Sequence, residues 1–200
     1  MLTKKFKHHF AWCHTVEQSI RHADVKALDA TREQLMDKMG QPFGVHTRGV
    51  PLIIATLTLL LGFAMVQIRL WELLFSGFSA GPHNLFFGIL PTALIFAVVL
   101  SATVYFIAQG YMAAVSLFLS MAKTILILDL LYFVLSLYDF MLNKPYAGAQ
   151  LISALLGILF IILAFLTVNA PSFRVMLTLM LHNRIWRRQL QLKRQALTRR

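Results

Sequence analysis

The sequence predicts an all-α integral membrane protein, a bundle of four spanning helices with amphipathic cytoplasmic helices at both ends. Three observations carry this. The 200 residues are 58% hydrophobic and only 14% charged, whereas a soluble domain has about 45–50% apolar and about 25% charged residues. No Asp, Glu, Lys or Arg interrupts the 50 residues from Leu73 to Ala122, nor the 29 from Pro145 to Phe173. Sixteen of the 19 Lys and Arg lie outside the apolar block, eight in residues 1–49 and eight from Arg174 onward.

Residues 1–49 read as a cytoplasmic helical arm. Phe6, Phe10, Cys13, Val16, Ile20, Leu28, Leu35 and Met39 fall in one broad stripe at helical spacing. Asp24 is placed to cap a second helix from Val25, and Gly40, Pro42 and Gly44 stop it.

Residues 50–170 hold the spans, because about 20 apolar residues cross a bilayer. The first is expected at about 50–70, with Pro51 in its first turn and Arg69, Trp71 and Glu72 at its exit. A surface loop over 73–85 follows, carrying His83. The remaining spans are expected at about 86–108, 112–138 and 148–168, joined by a tight turn at Gln109-Gly110-Tyr111 and a short loop from Asp139 to Ala147. Residues 171–200 form a basic cytoplasmic tail helix. Two basic ends on one side require an even number of crossings, which places both termini in the cytoplasm. In layout the chain resembles the many small polytopic inner-membrane proteins of bacteria, which implies that membrane. The first apolar run starts too late for a cleaved signal peptide, so an uncleaved anchor is expected.

Two groups of candidate residues stand out. Lys123 and Asp129 are ionisable residues within the third span, where a charge costs roughly 2.5–3.5 kcal/mol on insertion scales and calls for a partner or a task. Ser116, Ser120 and Lys123 share a face, which is expected to point inward. Tyr132 and Gln67 are among the candidate partners for the two charges. The second group is the basic tail. Arg184, Trp186, Arg187, Arg188, Lys193 and Arg194 read as a lipid-headgroup surface, with Trp186 at the interface. Nucleic acid is not expected as a partner, for want of a binding motif.

Metal binding is weighed and set aside. His9, Cys13 and Glu17 lie on one helical face, beside His8, His14 and His22, but their spacing matches no zinc pattern and a fourth ligand is missing. Cys13 is the sole cysteine, so no internal disulfide forms. No nucleophile elbow, phosphate-binding loop or metalloprotease motif is found, so neither catalysis nor a cofactor is expected. The sequence points first to a non-enzymatic accessory protein that acts through helix contacts with another membrane protein or a second copy. Two alternatives are a small transporter or channel subunit, with Lys123 and Asp129 on its path, and an immunity-type protein against a pore-forming toxin.

Overall fold

The computed structural model describes residues 2–39, 49–76 and 85–198. Seven α-helices account for nearly all of them, and no strand occurs among the described residues: α1 (Lys4–His22), α2 (Val25–Met39), α3 (Val50–Ser76), α4 (Leu85–Ala108), α5 (Met112–Met141), α6 (Ala147–Asn169) and α7 (Pro171–Thr198). Four of these, α3 to α6, are long and apolar enough to cross a membrane. Gly40, Pro42, Gly44 and His83 lie outside the described residues.

Local chemistry explains the boundaries. The Thr3 hydroxyl accepts the Phe6 N–H at 3.2 Å, and the Asp24 carboxylate accepts the Ala27 N–H at 2.8 Å. These side chains satisfy amides that a helix start leaves open. Pro51 and Pro171 sit in the first turns of α3 and α7, where a missing N–H costs nothing. Two expected boundaries are corrected. Helix α3 continues past Trp71 to Ser76, and α5 continues past Tyr138 to Met141. Arg69, Glu72 and Asp139 are not loop markers. Arg69 donates to Glu72 at 3.0 Å and pairs with Asp139, which also accepts from Lys144 at 2.7 Å. Charges satisfied between helices need no loop to reach water.

The chain divides into two compact units. One comprises Met1–Ile53, Thr103–Ser116 and Thr167–Arg200. Here the stripe of the N-terminal arm is covered: Phe6, Cys13, Ile20, Leu28, Leu35 and Met39 are buried, as are Phe173, Met176, Leu177, Leu181 and Ile185 of α7. Both α1 and α2 pack on α7. Phe6 meets Phe173 with ring centroids 6.2 Å apart, and Lys38 of α2 lies 3.7 Å above the Trp12 ring of α1.

The other unit comprises Ile54–Ala102 and Leu117–Leu166. Buried positions recur at alternating three- and four-residue spacing on three helices. They are Ala55, Leu59, Gly62 and Val66 on α3, Ala122, Ile125, Asp129, Tyr132 and Ser136 on α5, and Ala154, Gly157, Ile161 and Ala164 on α6. That is the seam of left-handed helix packing. Small residues let the backbones approach: a Cβ on Gly62 would collide with the Ile161 side chain, and one on Gly157 would stand 2.7 Å from Asp129 Oδ1. Helix α4 lies against α3 through stacked Phe63 and Phe96 and through Trp71, whose Nε1 donates to Thr92 Oγ1 at 3.2 Å. Only 11% of its most apolar stretch is buried, against 39% for α3 and α5 and 33% for α6. The all-helical fold with four long apolar helices is as expected; among these, α3, α5 and α6 share an interior and α4 lies against α3.

Candidate functional site: a basic cavity beside a buried ion pair

The most organised polar cluster forms where α1, α7 and the turn between α4 and α5 meet. Gly110 makes the turn possible, with φ at +84°, a region that favours glycine. It lies against the α7 backbone, since a Cβ on it would sit 2.8 Å from the Met180 carbonyl oxygen. Tyr111 follows in the turn, and Met112 starts α5. The Met112 N–H is one of the open amides of that helix, and Glu17 of α1 accepts it at 3.0 Å through Oε2. Glu17 Oε1 accepts from Arg184 of α7 at 2.6 Å. The same guanidinium donates to the Gly110 carbonyl at 2.9 Å and lies 4.0 Å from the centroid of the Tyr111 ring. Glu17 and Arg184 are both largely buried, with side chains 6% and 15% exposed.

Beside this pair opens a cavity of about 420 Å³. Its walls carry Gln109, Tyr111, Arg184, Arg187, Arg188 and Gln191. Arg187 donates to the Gln109 carbonyl at 2.9 Å, which turns it toward the turn. Arg188 has no hydrogen bond or ion pair among the described residues. No acidic side chain lines the cavity among the described residues. Of its three guanidinium groups, Arg184 is paired with the Glu17 carboxylate, and Arg187 and Arg188 have no carboxylate partner among the described residues.

No protein-family model, curated protein or solved structure matches the chain.

The tail residues singled out from sequence separate into two sets. Arg184, Arg187 and Arg188 belong to the cavity. Trp186, Lys193 and Arg194 lie on the exposed side of α7, with Leu190 and Leu197. Neighbouring positions of α7 hold the N-terminal arm: Gln189 donates to Asp29 at 2.7 Å and His182 Nε2 accepts from Arg32 at 3.2 Å.

The residues expected inside the third span also separate. Asp129 is fully buried on α5 against Gly157, and neither of its oxygens has a partner among the described residues. Tyr132 is buried one turn further along, with Val66 and Ala154. Ser116, Ser120 and Lys123 do share a face, but it is the exposed one. Lys123 meets no partner among the described residues, which corrects the expectation of an inward-facing bridge. The reason is rotational. Six residues separate Lys123 from Asp129, about 120° around a helix, so packing that takes in one must leave the other out.

The N-terminal metal reading loses its ligands. Cys13 is fully buried, and burial pushes its thiol up to about 12. Glu17 is engaged by Arg184, and His9 contacts the Arg174 carbonyl at 3.1 Å and Thr178 Oγ1 at 3.2 Å. No group of three potential metal ligands occurs among the described residues.

These histidines make the unit sensitive to acid. Burial holds His9 below the ordinary imidazole value, against a raising contribution from the Arg174 carbonyl. Burial does the same to His182, helped by the charge of Arg32. An unfolded histidine titrates near ~6.5. Below that pH the unfolded chain takes up protons that the folded chain resists, so stability falls as pH drops from about 6.5 toward the lowered values. The melting temperature in detergent is expected to be lower at pH 5.5 than at pH 7.5. Asn replacements at both His9 and His182 should flatten that difference.

Sequence reasoning did not find Glu17 as the partner of Arg184, nor Gln109 and Tyr111 as cavity walls. Only the Gly in the turn signalled a close approach there.

Proposed function

We propose that the chain is a non-enzymatic accessory protein of the bacterial inner membrane. It crosses the bilayer four times with both ends in the cytoplasm, and it holds another membrane protein through α5. The observation that carries this reading is the outward face of α5. Ser120 and Lys123 are exposed there and Ser116 lies one turn before them. A lysine without an intrachain partner in a spanning helix is costly. A carboxylate on a neighbouring protein's helix would relieve that cost, and small hydroxyl residues beside it suit a helix contact. The cytoplasmic unit would ride on the anionic leaflet, with Trp186, Leu190 and Leu197 entering the interface and Lys193 and Arg194 at the headgroups.

A photo-crosslinking residue at Ser120 tests the reading in native membranes. Discrete protein adducts are expected from it. The same probe at Leu94, on the exposed and uncharged side of α4, should give lipid adducts alone. Lipid adducts alone from Ser120 as well would overturn the partner role and leave Lys123 reaching along its stem to the headgroups.

A second reading, a transport role, is favoured by the buried carboxyl of Asp129, which has no partner among the described residues. It would run through Asp129 without Lys123, since the two residues face opposite environments.

A further inference from the structure

We propose that the arginine cavity is a binding site for one phosphate group, that of an anionic phospholipid seated against the turn between α4 and α5. The proposal rests on the membrane placement given above for the cytoplasmic unit. It goes beyond surface adsorption, because it assigns a single, saturable site to three named arginines.

The chemistry of the walls selects the ligand. The cavity offers guanidinium and carboxamide donors from Arg184, Arg187, Arg188, Gln109 and Gln191, with no carboxylate on its lining. Planar guanidinium forks match the tetrahedral oxygens of phosphate through paired N–H donors. The preorganisation is already in place. Glu17 and the Gly110 carbonyl fix Arg184, and the Gln109 carbonyl fixes Arg187. Arg188, which has no partner of its own, has donors to give. Arg187 and Arg188 have no carboxylate partner among the described residues, which suits a single phosphate group. A volume of about 420 Å³ accommodates a phosphate headgroup.

Position supplies the second argument. Gln109 and Tyr111 lie in the turn between two apolar helices, α4 ending at Ala108 and α5 beginning at Met112. In a spanning protein such a turn lies at the level of lipid phosphates. Tyr111 is 39% exposed, an amphipathic ring of the kind found at that depth. Glu17 matters here as well. It takes up the first amide of α5, the place where an anion would otherwise settle. A bound phosphate is thereby directed to the arginines.

Native mass spectrometry of the full-length protein in mild detergent provides the test. The probes are cardiolipin, phosphatidylglycerol, phosphatidylcholine and soluble glycerol phosphate. Wild-type protein is expected to retain one anionic lipid and no phosphatidylcholine. Glycerol phosphate binding without lipid retention would keep the phosphate site and assign it to a soluble ligand. R188Q, at a side chain with no hydrogen bond or ion pair among the described residues, should weaken retention at least tenfold, and R187Q/R188Q should abolish it, each with an unchanged helical circular dichroism spectrum. The comparison variant is W186A/K193Q/R194Q, which removes the outer face alone. Retention of one lipid by that variant supports the cavity. Wild-type retention by R188Q and R187Q/R188Q, with loss in the outer-face variant, would overturn the cavity site and leave the leaflet reading standing. No retention of any probe by wild-type protein would overturn the site outright. Undiminished adsorption of the outer-face variant to phosphatidylglycerol vesicles would instead count against the leaflet reading.

Discussion

Replacing Glu17 with alanine is expected to cost about 3–5 kcal/mol, the range seen when one member of a buried ion pair is removed. The cost has two sources. Arg184 would keep its charge in a largely buried position with only the Gly110 carbonyl and the Tyr111 ring beside it. The Met112 N–H would lose its acceptor at the start of α5. Hydrogen exchange should localise the damage, with amides of α1, α2 and α7 opening faster than those in the unit that holds Asp129. E17A combined with R184M should be less damaging than the sum of the two single changes, because the second removes the orphaned charge. A strictly additive double variant would show that the pair is not coupled.

Gly110→Ala is the second large effect expected. The left-handed φ of +84° costs an L-residue about 1–2 kcal/mol. The new Cβ would stand 2.8 Å from the Met180 carbonyl and 3.3 Å from Arg184 Cβ. The first neighbour is helix backbone and cannot swing aside, so overpacking adds about 1–3 kcal/mol. Any retreat of the turn would also lengthen the Arg184 bond to the Gly110 carbonyl. Gly148→Ala is the matched control. Nothing lies within 4 Å of a Cβ there, and its φ is unremarkable for an L-residue. Thermal unfolding in detergent should separate the two variants clearly. Equal stabilities would mean that the turn does not press on α7.

The four apolar helices could be read from the sequence because uncharged runs of 50 and 29 residues leave few other assignments. The N-terminal stripe was equally legible, since Phe6, Cys13, Ile20, Leu28 and Leu35 keep helical spacing. A stripe says that something covers it and not what. Its cover is α7, and the ion pair that pins α1 to α7 joins residues 167 positions apart. No local pattern announces such a pair. Arg69 and Asp139 were legible as residues near the ends of spans, but their pairing was not, and the helix ends were drawn too early as a result. On α5 the sequence held more than was taken from it. Asp129, Tyr132, Ser136 and Asp139 follow one another at three- and four-residue spacing, in register with Ile125 and Ala122. That register buries Asp129 and turns Lys123, about 120° away around the helix, outward. The arginines of the tail were visible as a cluster. Their division between a cavity and an open face depends on how α7 is rotated against α1 and α2, which the tail's own sequence does not specify.

The most direct measurement of the central claim, a four-span protein with its helical arm and tail on the cytoplasmic side, is thiol labelling from outside the cell. Cys13 would be replaced by serine to leave a cysteine-free background. Single cysteines would then be placed at three exposed positions: Gln34 on α2, Leu142 after α5 and Lys193 on α7. With an impermeant maleimide, Leu142→Cys should label in intact spheroplasts, whose outer membrane is opened and inner membrane sealed. Gln34→Cys and Lys193→Cys should label only after the inner membrane is opened. Labelling of either of these two in intact spheroplasts, or protection of Leu142→Cys, would contradict the account.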